Sequence, residues 1–309
     1  MKNEKIFITG GAGYLGQNLC KYLSQDNEII VYSRDESKHY YMQKQFPNVR
    51  FIIGDIRNKD YLIRKSKGCT VGIFAASLKQ IDACTNNYEE ASKTIIDGAI
   101  NSRLAAEENG FKSASFISSD KSRAATTIYG AMKYVAGESF IVGDSNCNLT
   151  TLIYGNVANS TGSIIPLIWN CIKNNRCLTL YEPSMTRFWI DIKDAVDLIV
   201  KAQKYKGCNI IPKIKSFCIE DLCKIYSEKF GLKYTVGTPR VGEKIHEIMA
   251  SNEEIRRLQY VSSDNLYVLY PDRQINNLTF PNNEYSSKDF CMNTDELLHV
   301  LEDKDFYKL

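Results

Sequence analysis

Six polar residues near the middle of the chain combine types and spacing that suit acid–base chemistry. Residues 118–121 read Ser-Ser-Asp-Lys after a short apolar run, and Tyr129 and Lys133 follow with three residues between them. On a helix that spacing places both side chains on one face, one turn apart. A nearby positive charge lowers the pKa of an acid, so Lys133 is expected to favour the phenolate of Tyr129. Such a tyrosine can take a proton from a substrate hydroxyl near neutral pH.

A glycine-rich turn near the start of the chain gives this pair its context, because Tyr-x-x-x-Lys alone most often marks an exposed helix pair. Lys5–Thr9 predicts a strand, residues 10–16 fit G-x-G-x-x-G and its T-G-x-x-G-x-x-G variant, and a helical pattern covers 15–23. The glycines allow a tight turn and let backbone N–H groups reach a pyrophosphate at the helix N-terminus. The turn residues expected to hold a dinucleotide are Gly10, Gly13, Tyr14, Leu15 and Gly16.

The residues after the second predicted strand, at 28–32, indicate which dinucleotide is bound. Arginine suits the 2′-phosphate of NADP, and Arg34 is accompanied by Ser33 and Lys38. Proteins that bind NAD place a carboxylate here to hold the ribose hydroxyl, and Asp35 could serve that purpose. The sequence therefore predicts NADP, with NAD as the alternative.

The alternation of strands and helices predicts the fold class. Residues 49–53, 71–75 and 114–117 have strand patterns, and 89–109 predicts a long helix. Such an alternation forms an α/β, doubly wound parallel sheet of Rossmann type, in which ligands lie beyond the carboxyl ends of the strands. The residues expected beside a cofactor at that edge are Asp55, Ile56, Ala75, Ala76 and Ser77.

The second half of the chain is expected to return to this sheet and also to form a smaller lobe. A sixth strand is predicted at 149–154, and helices at 167–173, 195–202, Ile219–Phe230 and 294–301. We therefore place the nucleotide-binding domain at 1–155 with a return segment at about 186–212. The substrate-binding α/β lobe is expected at 156–185 and 213–309.

Bulk properties exclude several classes of protein. A net charge of +3 over 309 residues, with no basic tract, argues against nucleic acid as a partner. The longest apolar runs are too short to span a bilayer, and no signal-peptide pattern is present, so we expect no membrane partner. Ten cysteines without a C-x-x-C pair, and three histidines, argue against a metal site and for reduced thiols in the cytoplasm.

Together these residues resemble the extended short-chain dehydrogenase/reductase superfamily, and within it the soluble inverting UDP-N-acetylglucosamine 4,6-dehydratases of bacterial polysaccharide and pseudaminic acid biosynthesis. The similarity extends over nearly the whole chain. The blocks that carry it are TGGAGYLG, YSRDESK, AASLKQ, SSDK, YGAMK, YGNV, STGSIIP, MTRFWI and VGEKIHE. The spacing from SDK to YG and the MTRFWI block are specific to that family, whereas the Rossmann fingerprint is not. Membrane-bound retaining relatives have methionine in place of Tyr129, which favours the soluble inverting type.

The resemblance implies a role for each polar residue of the site. Tyr129 takes the proton of the sugar C4 hydroxyl while the C4 hydride passes to NADP, and Lys133 holds the cofactor ribose. Lys121 takes the C5 proton, Asp120 protonates the departing C6 hydroxyl, and Ser119 hydrogen-bonds the sugar near C4. The residues implied to bind substrate are Lys79 (which also lies beside the cofactor), Ser119, Lys121, Asn156, Arg187, Arg240 and Glu243. The implied substrate is UDP-N-acetylglucosamine or a related UDP-sugar, and the implied assembly is a homo-oligomer paired through the long helices that flank the sheet.

A lysine that acts as a base must be neutral, so we expect burial or cationic neighbours to lower the pKa of Lys121. Four positions depart from the family pattern. Ile95 replaces an asparagine, Ile153 and Thr161 replace arginines, and Val241 replaces a proline. The loss of two arginines near the diphosphate leaves the identity of the sugar and nucleotide open.

Two other functions remain open on these residues. A nucleotide-sugar 4-epimerase of the same superfamily needs Tyr129 and Lys133 but no paired acid and base for C5 and C6. A cofactor-bound scaffold that no longer turns over is the second alternative, and its support is the set of departures at Ile95, Ile153 and Thr161.

Overall fold

Short apolar strands alternate with helices along most of the chain, and the computed structural model describes residues 1–275 and 278–307. The strands are β1 (Lys5–Thr9), β2 (Glu28–Ser33), β3 (Arg50–Ile53), β4 (Val71–Phe74), β5 (Ser113–Ile117), β6 (Asn148–Leu152), β7 (Asn156–Val157), β8 (Cys177–Leu180), β9 (Thr186–Ile190), β10 (Cys208–Pro212), β11 (Ser216–Cys218), β12 (Lys233–Val236), β13 (Ile248–Ala250), β14 (Leu258–Val261), β15 (Leu266–Leu269) and β16 (Tyr285–Ser286).

The helices cover both faces of the main sheet and build much of the second lobe. They are α1 (Tyr14–Leu23), α2 (Glu36–Gln45), α3 (Lys59–Ser66), α4 (Ile81–Asn86), α5 (Tyr88–Ser92), α6 (Gly98–Glu108), α7 (Ile128–Ile141), α8 (Ile164–Lys173), α9 (Ile192–Ala202), α10 (Ile219–Phe230), α11 (Asn252–Ile255) and α12 (Thr294–Asp303). A π-helical turn at Lys93–Asp97 joins α5 to α6, and 3₁₀ turns lie at Asp120–Ser122 and Pro281–Asn283. No helix of the described ranges is both long and apolar enough to cross a membrane.

The main sheet has nine strands in the order β14-β15-β10-β6-β5-β4-β1-β2-β3. From β10 to β3 every neighbouring pair is parallel, whereas β15 pairs antiparallel with both β10 and β14. The predicted doubly wound parallel sheet of Rossmann type is therefore confirmed. The strand order reverses between β1 and β4, which is where folds of this kind bind their ligands.

Two apolar layers hold helices against the main sheet. Helices α1 and α9 pack on one face through side chains such as Leu19 and Ile199. Helices α3, α6 and α7 cover the other face, where Leu62, Ala106 and Phe140 are buried. Burial of aliphatic and aromatic groups is the main favourable term in folding, so these layers fix the strand ends that carry the site.

The second lobe has its own core beside the carboxyl ends of the strands. Helices α8, α10 and α12 surround buried aromatic residues that include Trp169, Phe217 and Tyr226. Smaller sheets, β11-β9-β7, β12-β8 and β13-β16, connect this core to the cleft. The expected lobe at 213–309 differs from this arrangement in one respect, because β14 and β15 of that range extend the main sheet.

Candidate active site

The glycine turn after β1 forms the floor of a first cleft. Gly10 has a φ of +68°, and a Cβ there would lie 2.8 Å from the backbone of Ala76. Helix α1 begins directly after Gly13, which has no side chain to cap the first N–H groups of the helix. Gly16 lies behind the turn, where a Cβ would come within 2.2 Å of Gly11. The turn can therefore bring backbone N–H groups close to an anion at the start of α1.

The first cleft has a volume of about 230 Å³ and gathers most of the predicted cofactor residues. Its lining includes Gly10, Gly13, Ser33, Arg34, Lys38, Asp55, Ile56, Ala76 and Ser77. Tyr14 lies elsewhere and donates a hydrogen bond to the carbonyl oxygen of Ala158 at 3.3 Å. Leu15 packs against the apolar core, and the Ala75 N–H donates to the carbonyl oxygen of Thr9 at 3.2 Å.

The carboxylates near the far end of this cleft already have partners. Asp35 caps helix α2 by accepting from the Lys38 N–H at 3.0 Å, and it pairs with the Lys38 ammonium at 2.7 Å. Asp55 accepts from the guanidinium of Arg57, whose charge and hydrogen bonds hold the pKa of Asp55 below its usual value despite partial burial. The exposed guanidinium of Arg34 stays beside them, 3.8 Å from Asp55. Arg34 and Lys38 therefore present cationic groups at this end of the cleft.

A second cleft of about 370 Å³ opens beside the first, at the ends of β5 and β6. It brings together all the predicted catalytic residues except Lys133, and all the predicted substrate residues. Those in its lining are Lys79, Ser119, Asp120, Lys121, Tyr129, Asn156, Arg187, Arg240 and Glu243. Lys79 lines this cleft rather than the first, and its ammonium donates to the carbonyl oxygen of Thr161.

Backbone hydrogen bonds hold Asp120 and Lys121 at the end of β5. The Asp120 N–H donates to the carbonyl oxygen of Tyr154 at 3.1 Å, which extends the pairing of β5 with β6 into the cleft. The Ser119 hydroxyl accepts from the Lys121 N–H at 3.3 Å and donates to the Asp120 carboxylate at 2.9 Å. Helix α7 packs under this turn at Gly130, where a Cβ would lie 2.2 Å from the carbonyl oxygen of Lys121.

The charge state of Lys121 differs from the expectation. Burial disfavours its ammonium, but Asp120 at 3.4 Å and Glu247 at 2.8 Å outweigh that effect and raise the pKa of Lys121 above its usual value. The expectation of a lowered pKa is therefore wrong for the ligand-free protein, because it left out the second carboxylate. Burial also raises the pKa of Asp120, although Lys121 opposes this shift. A carboxyl group that gains a proton easily is suited to act as a general acid.

Tyr129 and Lys133 lie one turn apart on α7 and are 6% and 4% exposed, so they are not a solvated surface pair. Burial raises the pKa of Tyr129 to about 12, while Lys121 and Ser119 act to lower it. Burial lowers the pKa of Lys133 to about 7, and its amine donates to the carbonyl oxygen of Ile117 at 2.9 Å. The expectation that Lys133 supplies the charge that lowers the pKa of Tyr129 is therefore not met here, since Lys121 is the cation that does so.

Arg187, Arg240 and Glu243 form one linked group at the far wall of the second cleft. The buried guanidinium of Arg187 donates to Glu243 at 2.7 Å and to the carbonyl oxygens of Thr186 and Ile245 at 2.8 and 3.1 Å. The half-exposed Arg240 lies 3.4 Å from the same carboxylate of Glu243. Arg240 is therefore accessible to a ligand anion, whereas Arg187 is fixed by the protein around it.

The positions that depart from the family pattern fall in different environments. Ile153 is fully buried in the core around Phe188, so it does not reach the cleft lining. Thr161 does line the second cleft, and its carbonyl oxygen holds Lys79. Ile95 lies within the π-helical turn and is buried against the core that contains Tyr129. The departures thus alter one wall of the second cleft and leave Asp120 and Lys121 in place.

Sequence reasoning missed Glu247. Its buried carboxylate contacts the Lys121 amine, yet 126 residues separate the two along the chain. The block VGEKIHE ends on this residue, so its position was visible in the sequence although its contact was not. Burial alone would raise the pKa of Glu247, but Lys121, Arg187 and Lys244 hold it down at about 2.

An apolar groove continues from the second cleft between α8 and β8. It shares Asn156, Arg187, Arg240 and Glu243 with that cleft, and its other lining residues include Leu167, Leu178, Tyr181 and Phe217. An apolar wall beside the half-exposed Arg240 can accept an aromatic ring that carries an anionic group.

Comparisons with known proteins agree with these features. The family described as polysaccharide biosynthesis protein matches residues 6–268. The chain is 35% identical over 285 residues to UDP-N-acetylglucosamine 4,6-dehydratase (inverting) of Campylobacter jejuni subsp. jejuni serotype O:2, covering 88% of this chain and 84% of the relative. It is also 35% identical over 277 residues to UDP-glucose 4-epimerase of Rickettsia bellii, covering 83% and 80%. The X-ray structure of Pen from Bacillus thuringiensis superimposes with a TM-score of 0.89 at 27% identity, over 99% of both chains.

Proposed function

The chain belongs to the polysaccharide biosynthesis protein family, within the extended short-chain dehydrogenase/reductases, and from that premise we propose that it is an inverting UDP-N-acetylglucosamine 4,6-dehydratase. The observation that carries the proposal is the meeting of Asp120, Lys121 and Tyr129 in one cleft beside the glycine turn. Elimination across C5 and C6 of a sugar needs an acid and a base within reach of one ring, and oxidation at C4 needs a second base.

The first cleft fits NADP. Gly10 has the positive φ that a close turn requires, and Gly13 directly precedes α1, so the first N–H groups of the helix can face a pyrophosphate. Ser33, Arg34 and Lys38 line the other end, where a 2′-phosphate would lie. The engagement of Asp35 as a helix cap supports NADP over NAD, because that carboxylate is already bonded to Lys38.

The residues of the second cleft suit four proton transfers. Tyr129 takes the proton of the C4 hydroxyl, and Ser119 and Lys121 stabilise the phenolate that this step needs. Lys121 then accepts the C5 proton, and Asp120 donates a proton to the departing C6 oxygen, which leaves as water. A proton must finally be added at C5 when hydride reaches C6, and Tyr129, which holds the proton from the C4 hydroxyl, returns it there and becomes a phenolate again. The chemistry that NADP supplies when bound is acceptance of the C4 hydride and its return to C6.

The second lobe supplies the walls for the nucleotide. Arg240 and Lys79 offer cations to the diphosphate, and Glu243 holds the arginine side chains in place. The apolar groove beside Leu178 and Phe217 suits the uracil ring. Thr161 replaces an arginine in the cleft lining, so binding of the diphosphate depends more heavily on Arg240 and Lys79.

Incubation with UDP-N-acetylglucosamine in D2O, followed by NMR, tests the proposal. We expect a 4-keto-6-deoxy product that carries deuterium at C5, with inverted configuration there. If protein that binds NADP gives neither the ketone nor the deuterium, the dehydratase assignment is wrong.

The similarity to UDP-glucose 4-epimerase of Rickettsia bellii supports a second candidate, a nucleotide-sugar 4-epimerase. Tyr129 and Lys133 are sufficient for that reaction, which removes and returns a hydride at C4. The same NMR experiment separates the two functions. An epimerase gives a galacto-configured sugar that keeps its C6 hydroxyl and takes up no deuterium at C5.

A further inference from the structure

Glu247 lies at the centre of the charged cluster below the second cleft. Its carboxylate is 2.8 Å from the Lys121 amine, whereas Asp120 is 3.4 Å from the same nitrogen. The Lys121 amine is therefore drawn toward the second lobe and away from its sequence neighbour.

The position of Glu247 is fixed by the strand ends of the second lobe. Its N–H donates to the Ser287 hydroxyl and its carbonyl oxygen accepts from the Ser287 N–H, both at 2.8 Å. The Ser287 hydroxyl in turn lies 2.7 Å from that of Thr186, directly before Arg187 in β9. A backbone held on both sides leaves the carboxylate little freedom to move away from Lys121.

The charges that face Lys121 come from four different parts of the fold. Asp120 belongs to its own turn, Tyr129 to α7 and Arg187 to β9, and Glu247 and Lys244 lie on the segment before β13. Arg187 and Lys244 are each 3.7 Å from the carboxylate of Glu247. Within the described ranges, the Oε2 atom of Glu247 has no hydrogen-bond partner, so the carboxylate is bonded directly only through Oε1, to Lys121, and Arg187 and Lys244 balance its charge from 3.7 Å.

Glu247 bears on catalysis because it contacts the amine from which a proton must move before elimination. A proton that moves from the Lys121 ammonium to the Asp120 carboxylate produces a neutral amine and a carboxylic acid. The amine then accepts the C5 proton, the acid gives its proton to O6, and water leaves, which restores the ammonium and the carboxylate. The elimination step therefore adds no net proton to the protein and removes none, and Glu247 stays ionised during it.

We propose that Glu247 is a positioning residue that keeps the Lys121 amine protonated and displaced from Asp120 in the resting site, and so sets the pH range in which Lys121 can act as a base. The proposal rests on the proposed dehydratase function for its catalytic consequence, but the contact between Glu247 and Lys121 can be tested without substrate. A carboxylate beside an ammonium favours the charged form, so its removal makes the neutral amine available at lower pH.

The first test is the pH profile of turnover for Glu247→Gln, which keeps the shape of the side chain and removes its charge. We expect the acidic limb of the kcat profile to shift to lower pH by about one unit or more. Glu247→Asp keeps the charge and should restore the wild-type position of the limb. Lys244→Met removes a cation from the same cluster, so it should move the limb in the opposite direction.

The matched control is Glu254→Gln, because Glu254 is also a buried carboxylate in an ion pair, with Arg123 at 2.6 Å. It should lower thermal stability and leave the limb where it is in the wild type. An unshifted limb in both Glu247→Gln and Lys244→Met, with only a lower plateau, would overturn the proposal and leave Glu247 as a structural residue.

A titration of the ligand-free protein separates this proposal from the proposed function. The lysine Cε resonance of Lys121, assigned by its loss in Lys121→Arg, should titrate at a lower pH in Glu247→Gln than in the wild type. If the wild type makes no 4-keto product, the dehydratase assignment fails while this titration still decides the role of Glu247. Identical titration curves in the two proteins would disprove the coupling.

Discussion

At Lys121, two carboxylates surround one amine, and the balance among them explains how adjacent residues can provide both an acid and a base. Burial raises the pKa of Asp120, and the paired carboxylates raise that of Lys121, so a single proton is shared between neighbours. Groups coupled in this way titrate as a unit rather than one at a time. The resting ion pair is thus one proton transfer away from the reactive form.

Substitution Lys121→Ala should separate oxidation from elimination. Because Tyr129 and Ser119 remain, we expect reduced nicotinamide still to form on mixing with substrate, although more slowly since Lys121 no longer favours the phenolate, while the rate of water loss falls further, by about 10²–10⁴-fold. Absorbance of the reduced cofactor and deuterium at C5 report the two steps independently. Deuterium uptake at the wild-type rate would show that a different group removes the C5 proton.

Lys133 is needed for activity, but its buried amine should lower the stability of the ligand-free protein. Its folded pKa of about 7 lies below the ordinary lysine value of about 10.4, so the folded protein bears the cost of its charge below pH 7. That cost declines as the pH rises toward the ordinary value, because the folded form then binds fewer protons than the unfolded form.

Lys133→Met should therefore stabilise the ligand-free protein by about 2 kcal/mol or more near pH 6, and by clearly less near pH 10. Loss of the hydrogen bond to the Ile117 carbonyl oxygen offsets part of the gain. Thermal melts at the two pH values provide the measurement, and turnover should be strongly reduced at both. A melting-point difference that does not depend on pH would contradict the lowered pKa.

At the scale of elements, the contact between α7 and the turn at Asp120–Ser122 determines where the acid and base lie. Gly130 follows Tyr129 directly, and the missing side chain lets the helix approach the Lys121 carbonyl oxygen. The Thr127 hydroxyl caps α7 by accepting from the Gly130 N–H at 3.1 Å. The segment 127–130 thus positions Tyr129 and supports the turn that contains Lys121.

Gly130→Ala should disrupt this contact, because its Cβ would lie 2.2 Å from the Lys121 carbonyl oxygen. We expect a loss of about 1–3 kcal/mol in unfolding free energy, together with a larger fall in turnover than in NADP affinity. Chemical denaturation and cofactor titration measure the two effects. Ala131→Gly, at an exposed neighbouring position, is the control; it weakens the helix by about 1 kcal/mol without a clash. Equal turnover in the two variants would show that the close approach is unimportant.

Local sequence patterns correctly predicted the strand and glycine turn that line the first cleft. The elements that they failed to predict depend on contacts between distant parts of the chain. β1 and the glycine turn depend on residues adjacent in sequence, so periodicity and turn chemistry were sufficient. The helix predicted at 89–109 is interrupted by the π-helical turn at Lys93–Asp97, which no local pattern marks. β14 and β15 are short strands that are recognisable only through long-range pairing, since β15 pairs with β10 and β14 pairs with β15.

In the site, too, residues in local motifs were predicted from the sequence, whereas a residue brought in by the fold was not. Asp120, Lys121, Tyr129 and Lys133 come from motifs of fixed spacing, and the structure brings them to the ends of β5 and the start of α7. Glu247 reaches them from another lobe through contacts that depend on the whole fold. The expected lowering of the pKa of Lys121 came from the need for a neutral base, and it has the wrong direction because Asp120 and Glu247 both stabilise the ammonium.

For the whole molecule, the surface of the helices that flank the sheet bears on assembly. Helices α6 and α7 pack against each other and carry apolar side chains open to solvent in the single chain, with Ile100 39%, Tyr134 42% and Val135 44% exposed. Apolar groups grouped on adjacent helices favour association with another protein surface. We therefore propose that two copies of this chain bury these side chains together.

Val135→Glu should weaken that association, since a charge placed in an apolar interface loses its hydration without a partner. Light scattering after size-exclusion chromatography should give a mass of about twice 35.2 kDa or more for the wild type and a lower mass for the variant. Tyr40→Glu is the control, because Tyr40 is also exposed but lies on α2, beside the edge strand β3. If Val135→Glu and the wild type have the same mass while Tyr40→Glu dissociates, the interface lies on the α2 side of the sheet instead.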